Sequence, residues 1–252
     1  MKDTNQRLIQ FEGILNFRDL GGYKTRAGKS IAWRRVYRSG ELHHATPADV
    51  SKLKQEIKIK TIIDLRGERT IQNLGVENYA EIGARYFNFP LVLVTDTFKD
   101  MEKELQDFSN SAELYLFRLK QTEYARQIIG AFEMIADPRN HPVVAHCNAG
   151  KDRSGILSAI LLNALGVQDI DIVEDYNLTS LCIDEFIARW DADPKTADVH
   201  KNLPEFQRRT QPETMKLFLA MFKKEYGTGE EFLKANGADI MLVKRLEKAL
   251  LV

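Results

Sequence analysis

The sequence predicts an α/β protein built on a mostly parallel sheet. Short β-branched runs that end in turn or charged residues alternate with helical patterns, which is how such a sheet looks in sequence. A length of 252 residues with 44% hydrophobic content is also enough for one large core, so a single domain is expected over 1–252. The clearest strands lie at 60–65 (KTIIDL), 85–90 (RYFNFP) and 142–146 (PVVAH). Before them, 14–20, the Gly21-Gly22 turn and 31–37 predict a small antiparallel piece at the sheet edge. Thr46, Pro47 and Asp49 carry the signature of a helix start, for a helix running to about residue 56. A helical insertion is expected at about 97–140, where Leu114, Phe117, Leu119, Ile128, Ile129, Phe132 and Ile135 follow helical spacing. It serves either as a packed connection or as a lid. A C-terminal helical layer on the sheet is expected over 167–252, with breaks near Gly166, Asp193-Pro194 and 227–229.

Composition narrows the function classes. Basic and acidic side chains balance at 36 each, which argues against a protein that coats nucleic acid or anionic membrane through its global field. No leader-like apolar region opens the chain and no stretch reaches membrane-spanning length, so a cytoplasmic protein without membrane insertion is expected. Cys147 and Cys182 are too few for a disulfide framework, and free thiols are expected.

The chemistry concentrates at 146–155, HCNAGKDRSG, where an apolar strand hands over to an apolar helix. A helix N-terminus presents unpaired N–H groups and about half a positive charge, so a loop entering it cradles anions. The same field favours the thiolate of a cysteine at its edge, here Cys147. Asn148, Ala149, Gly150, Lys151, Asp152, Arg153 and Ser154 form the expected phosphate cradle. Arg153 supplies a planar fork that matches two phosphoryl oxygens, and Gly150 allows a tight turn. Ser154 can donate to the thiolate, and His146 is expected to fix geometry around Cys147. Cys182, in LTSLCIDEF, is expected in the core.

At these residues the chain resembles the protein tyrosine phosphatase superfamily, whose signature is His-Cys-x5-Arg followed by Ser or Thr. Further motifs resemble its atypical bacterial and fungal tyrosine or dual-specificity members: NFRDLGG at 16–22, VYRSG at 36–40, TIIDLR at 61–66 and the Gly-Lys-Asp-Arg form of the loop. The resemblance implies a four- or five-stranded parallel sheet flanked by helices, no metal or cofactor, and hydrolysis through a phosphocysteine. It does not fix the substrate, for which phosphorylated protein or a phosphoinositide is expected. A phosphate-binding pseudophosphatase is the rival reading.

Many members of the superfamily take the general acid from a mobile loop roughly 30 residues before the cysteine, but here that stretch contains no Asp. Three aspartates compete. Asp152 is favoured, since myotubularin-type phosphoinositide phosphatases also carry Asp before the Arg. Asp96 follows the second clear strand, and Asp64 ends a strand on the carboxyl edge of the sheet, where an ion pair with Lys151 or Arg66 is its plainer role. Lys151 tilts the reading toward substrates with a second phosphate. His43-His44 has no sequence partner at metal spacing and is expected as a solvated pair. Arg34, Arg35 and Arg38 are expected as a solvated strand edge, with a basic rim as the alternative. Arg18-Asp19 is expected to play a structural part near the site.

Overall fold

A computed structural model describes residues 4–92, 107–194 and 197–252. Among the described residues five strands form one sheet: β1 (Arg18–Asp19), β2 (Val36–Ser39), β3 (Thr61–Asp64), β4 (Arg85–Asn88) and β5 (Val143–His146), in the order β1-β2-β5-β3-β4. Only β1 runs antiparallel to its neighbour. The side-chain period of two decides what each face buries. Val36, Ile63, Val143 and Ala145 point into the larger core, whereas Tyr37, Ile62 and Val144 point into a smaller one with Phe17, Leu53 and Tyr79. Strands buried on both faces explain the unbroken apolar runs in the sequence.

The expected edge piece is present in β1, but the strand expected at 31–37 is displaced. Its ordered part is Val36–Ser39, inside the sheet beside β5, while Ile31 and Ala32 pair with the chain end at Leu250 and Leu251. Thr46 caps the helix Pro47–Ser51 with a complete capping box, and a π-helical turn, Lys52–Ile57, carries it to the expected end.

The larger core is closed by the helices Ser111–Leu119, Thr122–Ala136 and Arg153–Ala164, which bury Tyr115, Leu119, Ile128, Phe132, Ile135 and Ile156. The described part of the insertion is thus packed structure, although Phe117 is exposed. The insertion's beginning and Asp96 lie outside the described residues. The C-terminal helices occupy a different place from the one expected. Pro212–Tyr226 packs mainly on Ser111–Leu119 and Asp169–Asn177, Gly229–Ala235 on Arg153–Ala164, and Leu242–Leu250 on Thr122–Ala136. They form a second helical layer, because the first already covers that face.

Register and a buried ion cluster position the site. Parallel pairing lines up Ser39, His146, Asp64 and Asn88 along one carboxyl edge. Behind it, Asp175 receives Arg18 Nε at 3.0 Å and Arg38 Nη1 at 2.6 Å, all three side chains being almost wholly buried. Tyr23 donates to the same carboxylate at 3.2 Å. The two arginines hold Asp175 below the usual carboxylate range despite its burial. Removing one partner of a buried ion cluster leaves charge uncompensated, so Asp175→Ala should cost about 3–5 kcal/mol in urea unfolding. Tyr23→Phe, which removes one neutral donor, should cost only about 0.5–1.5 kcal/mol.

Candidate active site

The loop between β5 and the helix Arg153–Ala164 is held by its carbonyls. Glu41 N–H donates to Asn148 O at 2.7 Å, Asn16 Nδ2 to Ala149 O at 2.8 Å and Gly150 O at 3.1 Å, and Arg38 to Gly150 O and Lys151 O at 3.0 Å each. Four successive carbonyls are therefore drawn outward. In a trans peptide the N–H of the next residue points the opposite way. The amides of Ala149, Gly150, Lys151 and Asp152 consequently turn to the inside of the loop, where no described side chain or carbonyl accepts them. Successive inward amides at a helix N-terminus make an anion-binding nest.

Gly150 is required for a reason the sequence does not display. Its φ is +67°, and a Cβ there would lie 2.6 Å from Ser39 O and 2.7 Å from Gly40 N. The missing side chain lets the loop rest against the end of β2, rather than making room for the anion. Gly155 is needed because a Cβ would meet Arg38 Nη2 at 2.9 Å.

Cys147 is buried at the start of the loop, with Sγ 3.5 Å from Ser154 Oγ. Arg153 is the first residue of the helix and has no hydrogen bond or ion pair with any described residue. Its charge is felt at His146 and at the buried phenol of Tyr124, which also feels Cys147 and Asp152. A half-buried guanidinium without a protein partner suits an incoming anion.

Asp152 directs Oδ1 to the Tyr115 hydroxyl, which donates to it, and Tyr115 in turn lies 2.9 Å from Tyr176 Oη. Lys151 Nζ stands 3.6 Å from the same carboxylate. It donates to Gln207 O, and to Arg209 O at 3.2 Å. Of the two partners expected for Asp64, Lys151 is not the one found, and its ammonium faces backbone carbonyls. Burial of the lysine, at 1% exposure, favours such fixed acceptors.

Asp64 pairs with Arg66 instead, Oδ2 meeting Nη2 at 2.7 Å and both oxygens taking Nε. Arg66 also donates to Tyr79 Oη at 3.0 Å, and Tyr79 lies 3.0 Å from His146 Nε2. His146 Nδ1 is 3.2 Å from Cys147 O, a carbonyl that can only accept. The proton is therefore assigned to Nδ1, and Nε2 accepts from Tyr79. Burial pulls His146 down to about 4, so the imidazole is neutral at pH 7 and cannot serve as a cation beside the thiol. The chain Asp64, Arg66, Tyr79, His146 fixes the carbonyl of the cysteine.

Several further expectations change. Arg38 is no solvated strand edge: it is buried, its pKa is drawn down to about 10 mainly by that burial, and it grips the loop. Arg34 and Arg35 stay at the surface. Cys182 is only partly buried, against Phe186 and its small cluster, and burial pushes its thiol up to about 11. His43 and His44 are joined by the buried Glu41, so they are not simply a solvated pair. Burial pushes Glu41 up to about 7, against the pull of Arg189, Arg66 and Trp190. Asn16 and Arg38 lay within quoted motifs without an assigned role as loop anchors, whereas Asp175, Tyr79 and Tyr115 carried no local signal.

A protein of Cupriavidus necator named for tyrosine-protein phosphatase activity is 30% identical over 176 residues, covering 67% of this chain and 61% of its own length. A tyrosine-protein phosphatase of Nostoc commune is 26% identical over 227 residues, covering 83% and 72%. The triple specificity protein phosphatase PtpB of Mycobacterium tuberculosis is 26% identical over 205 residues, covering 71% and 72%. The chain thus spans less than two thirds of the Cupriavidus relative. The sequence model of the tyrosine phosphatase family matches residues 9–252, and the chain belongs to that family.

Proposed function

We propose that the protein is a cysteine-dependent phosphatase that hydrolyses phosphate monoesters through a phosphocysteine. The observation that carries this reading is the unpartnered Arg153 beside a nest of inward amides, with Cys147 at its edge. The Cys147 thiolate attacks phosphorus, forming an S–P bond as the P–O bond to the leaving group breaks. The loop amides and Arg153 hold the equatorial oxygens through transfer. Asp152 gives its proton to the departing oxygen, then takes one from the water that displaces the thiolate. Ser154, 3.5 Å from Sγ, donates to the thiolate as it leaves. Asp152 is favoured over Asp64 because the latter is enclosed by Arg66 and Tyr86. Tyr115 orients the Asp152 carboxyl from one side.

The substrates proposed are phosphotyrosine together with phosphoserine, phosphothreonine or phosphoinositides, in keeping with the breadth named for PtpB. With Lys151 engaged by carbonyls, recognition of a second acidic group falls to a cavity of about 250 Å³ lined by Ile187, Glu205, Arg208 and Arg209. It adjoins the Arg209 carbonyl that holds Lys151.

Purified protein should hydrolyse an aryl phosphate in EDTA and be blocked by vanadate, and Cys147→Ser should abolish turnover. Activity retained in that variant would overturn the mechanism. Asp152→Asn should lower kcat on alkyl phosphates by about 10²–10⁴-fold, with a smaller loss on aryl phosphates, whose leaving groups need less protonation. Equal losses on both would remove Asp152 from the acid role. Arg208→Ala should lower kcat/KM for a phosphoinositide by roughly 10–100-fold, the weight of a charge-assisted hydrogen bond, while sparing a phosphotyrosine peptide. A uniform effect would place the second acidic group elsewhere.

A further inference from the structure

Beyond β2 the chain reads Gly40-Glu41-Leu42-His43-His44 before the Thr46 cap. This turn is fixed from several sides. Gly40 N–H donates to Leu15 O at 3.1 Å, Glu41 N–H to Asn148 O at 2.7 Å and Ala45 N–H to Leu42 O at 3.0 Å. Leu42 is wholly buried. Gly13 packs so closely that a Cβ there would lie 1.9 Å from His44 O. The backbone that carries Glu41, His43 and His44 is therefore held before any ligand arrives.

The three side chains converge. Glu41 Oε1 lies 3.4 Å from His44 Nε2 and Oε2 lies 3.9 Å from His43 Nδ1, and one ligand atom from each residue falls within 4.8 Å of the others. A tetrahedral ion with ligands at about 2.0–2.2 Å has edges of roughly 3.3–3.6 Å, so small side-chain rotations close the set. Glu41 is 1% exposed, and its carboxylate is met by the neutral Trp190 donor and faced by the two histidines. Such a carboxylate is costly to bury and calls for a cationic partner. The nearby guanidinium groups act on Glu41 only through space: Arg66 gives Nε and Nη2 to Asp64, leaving Nη1 without a hydrogen-bond partner, and Arg189 meets Glu185 at 3.5 Å and Gly13 O at 2.8 Å.

We propose that Glu41, His43 and His44 form a binding site for a divalent cation of the zinc class, with water completing the shell on the His44 side. Two imidazoles and one carboxylate are the donor set that borderline metals take and that magnesium and calcium do not. His44, with 39% of its side chain exposed, opens the site to solvent and gives the ion an entry path. The ion takes no part in phosphoryl transfer. It sits on the residue whose amide holds the Asn148 carbonyl, and so braces one wall of the phosphate loop.

Tag-free, chelator-treated protein titrated with Co2+ tests the assignment. One ion per chain should bind, giving visible d–d bands of nitrogen and oxygen ligation without the near-ultraviolet thiolate band that Cys147 ligation would add, and Zn2+ should displace it. Cys147→Ser should bind as the parent does. His44→Ala and His43→Ala should each weaken Zn2+ binding by more than the roughly 10–100-fold that loss of an outer-shell partner costs. His44 is exposed enough that its variant should melt as the parent does without metal, which keeps the test decisive if His43→Ala fails to fold. Absence of binding, a thiolate band, or unchanged affinity in His44→Ala would overturn the proposal.

Discussion

The carboxylate of Asp175 is the point on which the site's geometry depends. It sits on the helix Asp169–Asn177 and binds, in a place almost closed to water, the guanidinium groups of Arg18 and Arg38, which lie more than a hundred positions before it. Two buried arginines without it would repel each other and would not hold fixed directions. With it, Arg38 presents two further donors to the carbonyls of Gly150 and Lys151, while Arg18 reaches Asn16, whose amide takes Ala149 O and Gly150 O. One acidic side chain thus orients, through three others, the peptide planes of the loop that follows Cys147.

This arrangement separates the work of shaping the loop from the work of binding. Carbonyls face the scaffold and amides face the cavity, so the electropositive surface is made largely of backbone dipoles that need no rearrangement when charge develops. Arg153 adds a full charge at the helix start. The neutral His146, held between Tyr79 and the Cys147 carbonyl, contributes alignment and no charge. Placing the cysteine under that carbonyl anchor and beside Ser154 restricts its rotation without a permanent positive neighbour in the β5 strand.

The surroundings of Asp152 follow from the same packing. The helix Ser111–Leu119 belongs to the core, and its Tyr115 hydroxyl meets Asp152 from within the fold. A carboxyl held in the loop itself has no need of a flap closing from the segment before the cysteine. Lys151 shows the converse case, a charged loop residue held by the carbonyls of Gln207 and Arg209 while its ammonium stays 3.6 Å from Asp152.

The sequence by itself determined the sheet strands around 61–64, 85–88 and 143–146, the Thr46 cap, the helix breaks at Gly166 and Gly227, and the family. Each rests on local order: apolar period, cap chemistry, glycine at positive φ, or a motif with fixed spacing. Tertiary structure decided most partners of the buried charged side chains, although the Asp64–Arg66 pair, two positions apart, is one of the two expected from sequence. Arg38 looked like a surface cation because its strand neighbours Arg34 and Arg35 are exposed, and only the helix bearing Asp175 buries it. Lys151 and Asp64 share the carboxyl edge of the sheet, yet each found a nearer partner, and His43-His44 acquired Glu41 through a turn whose shape comes from Gly13 and Asn148. A charge takes whichever counter-charge or carbonyl the folded chain brings within about 3 Å, and residues brought there from more than a hundred positions away leave no local mark in the sequence.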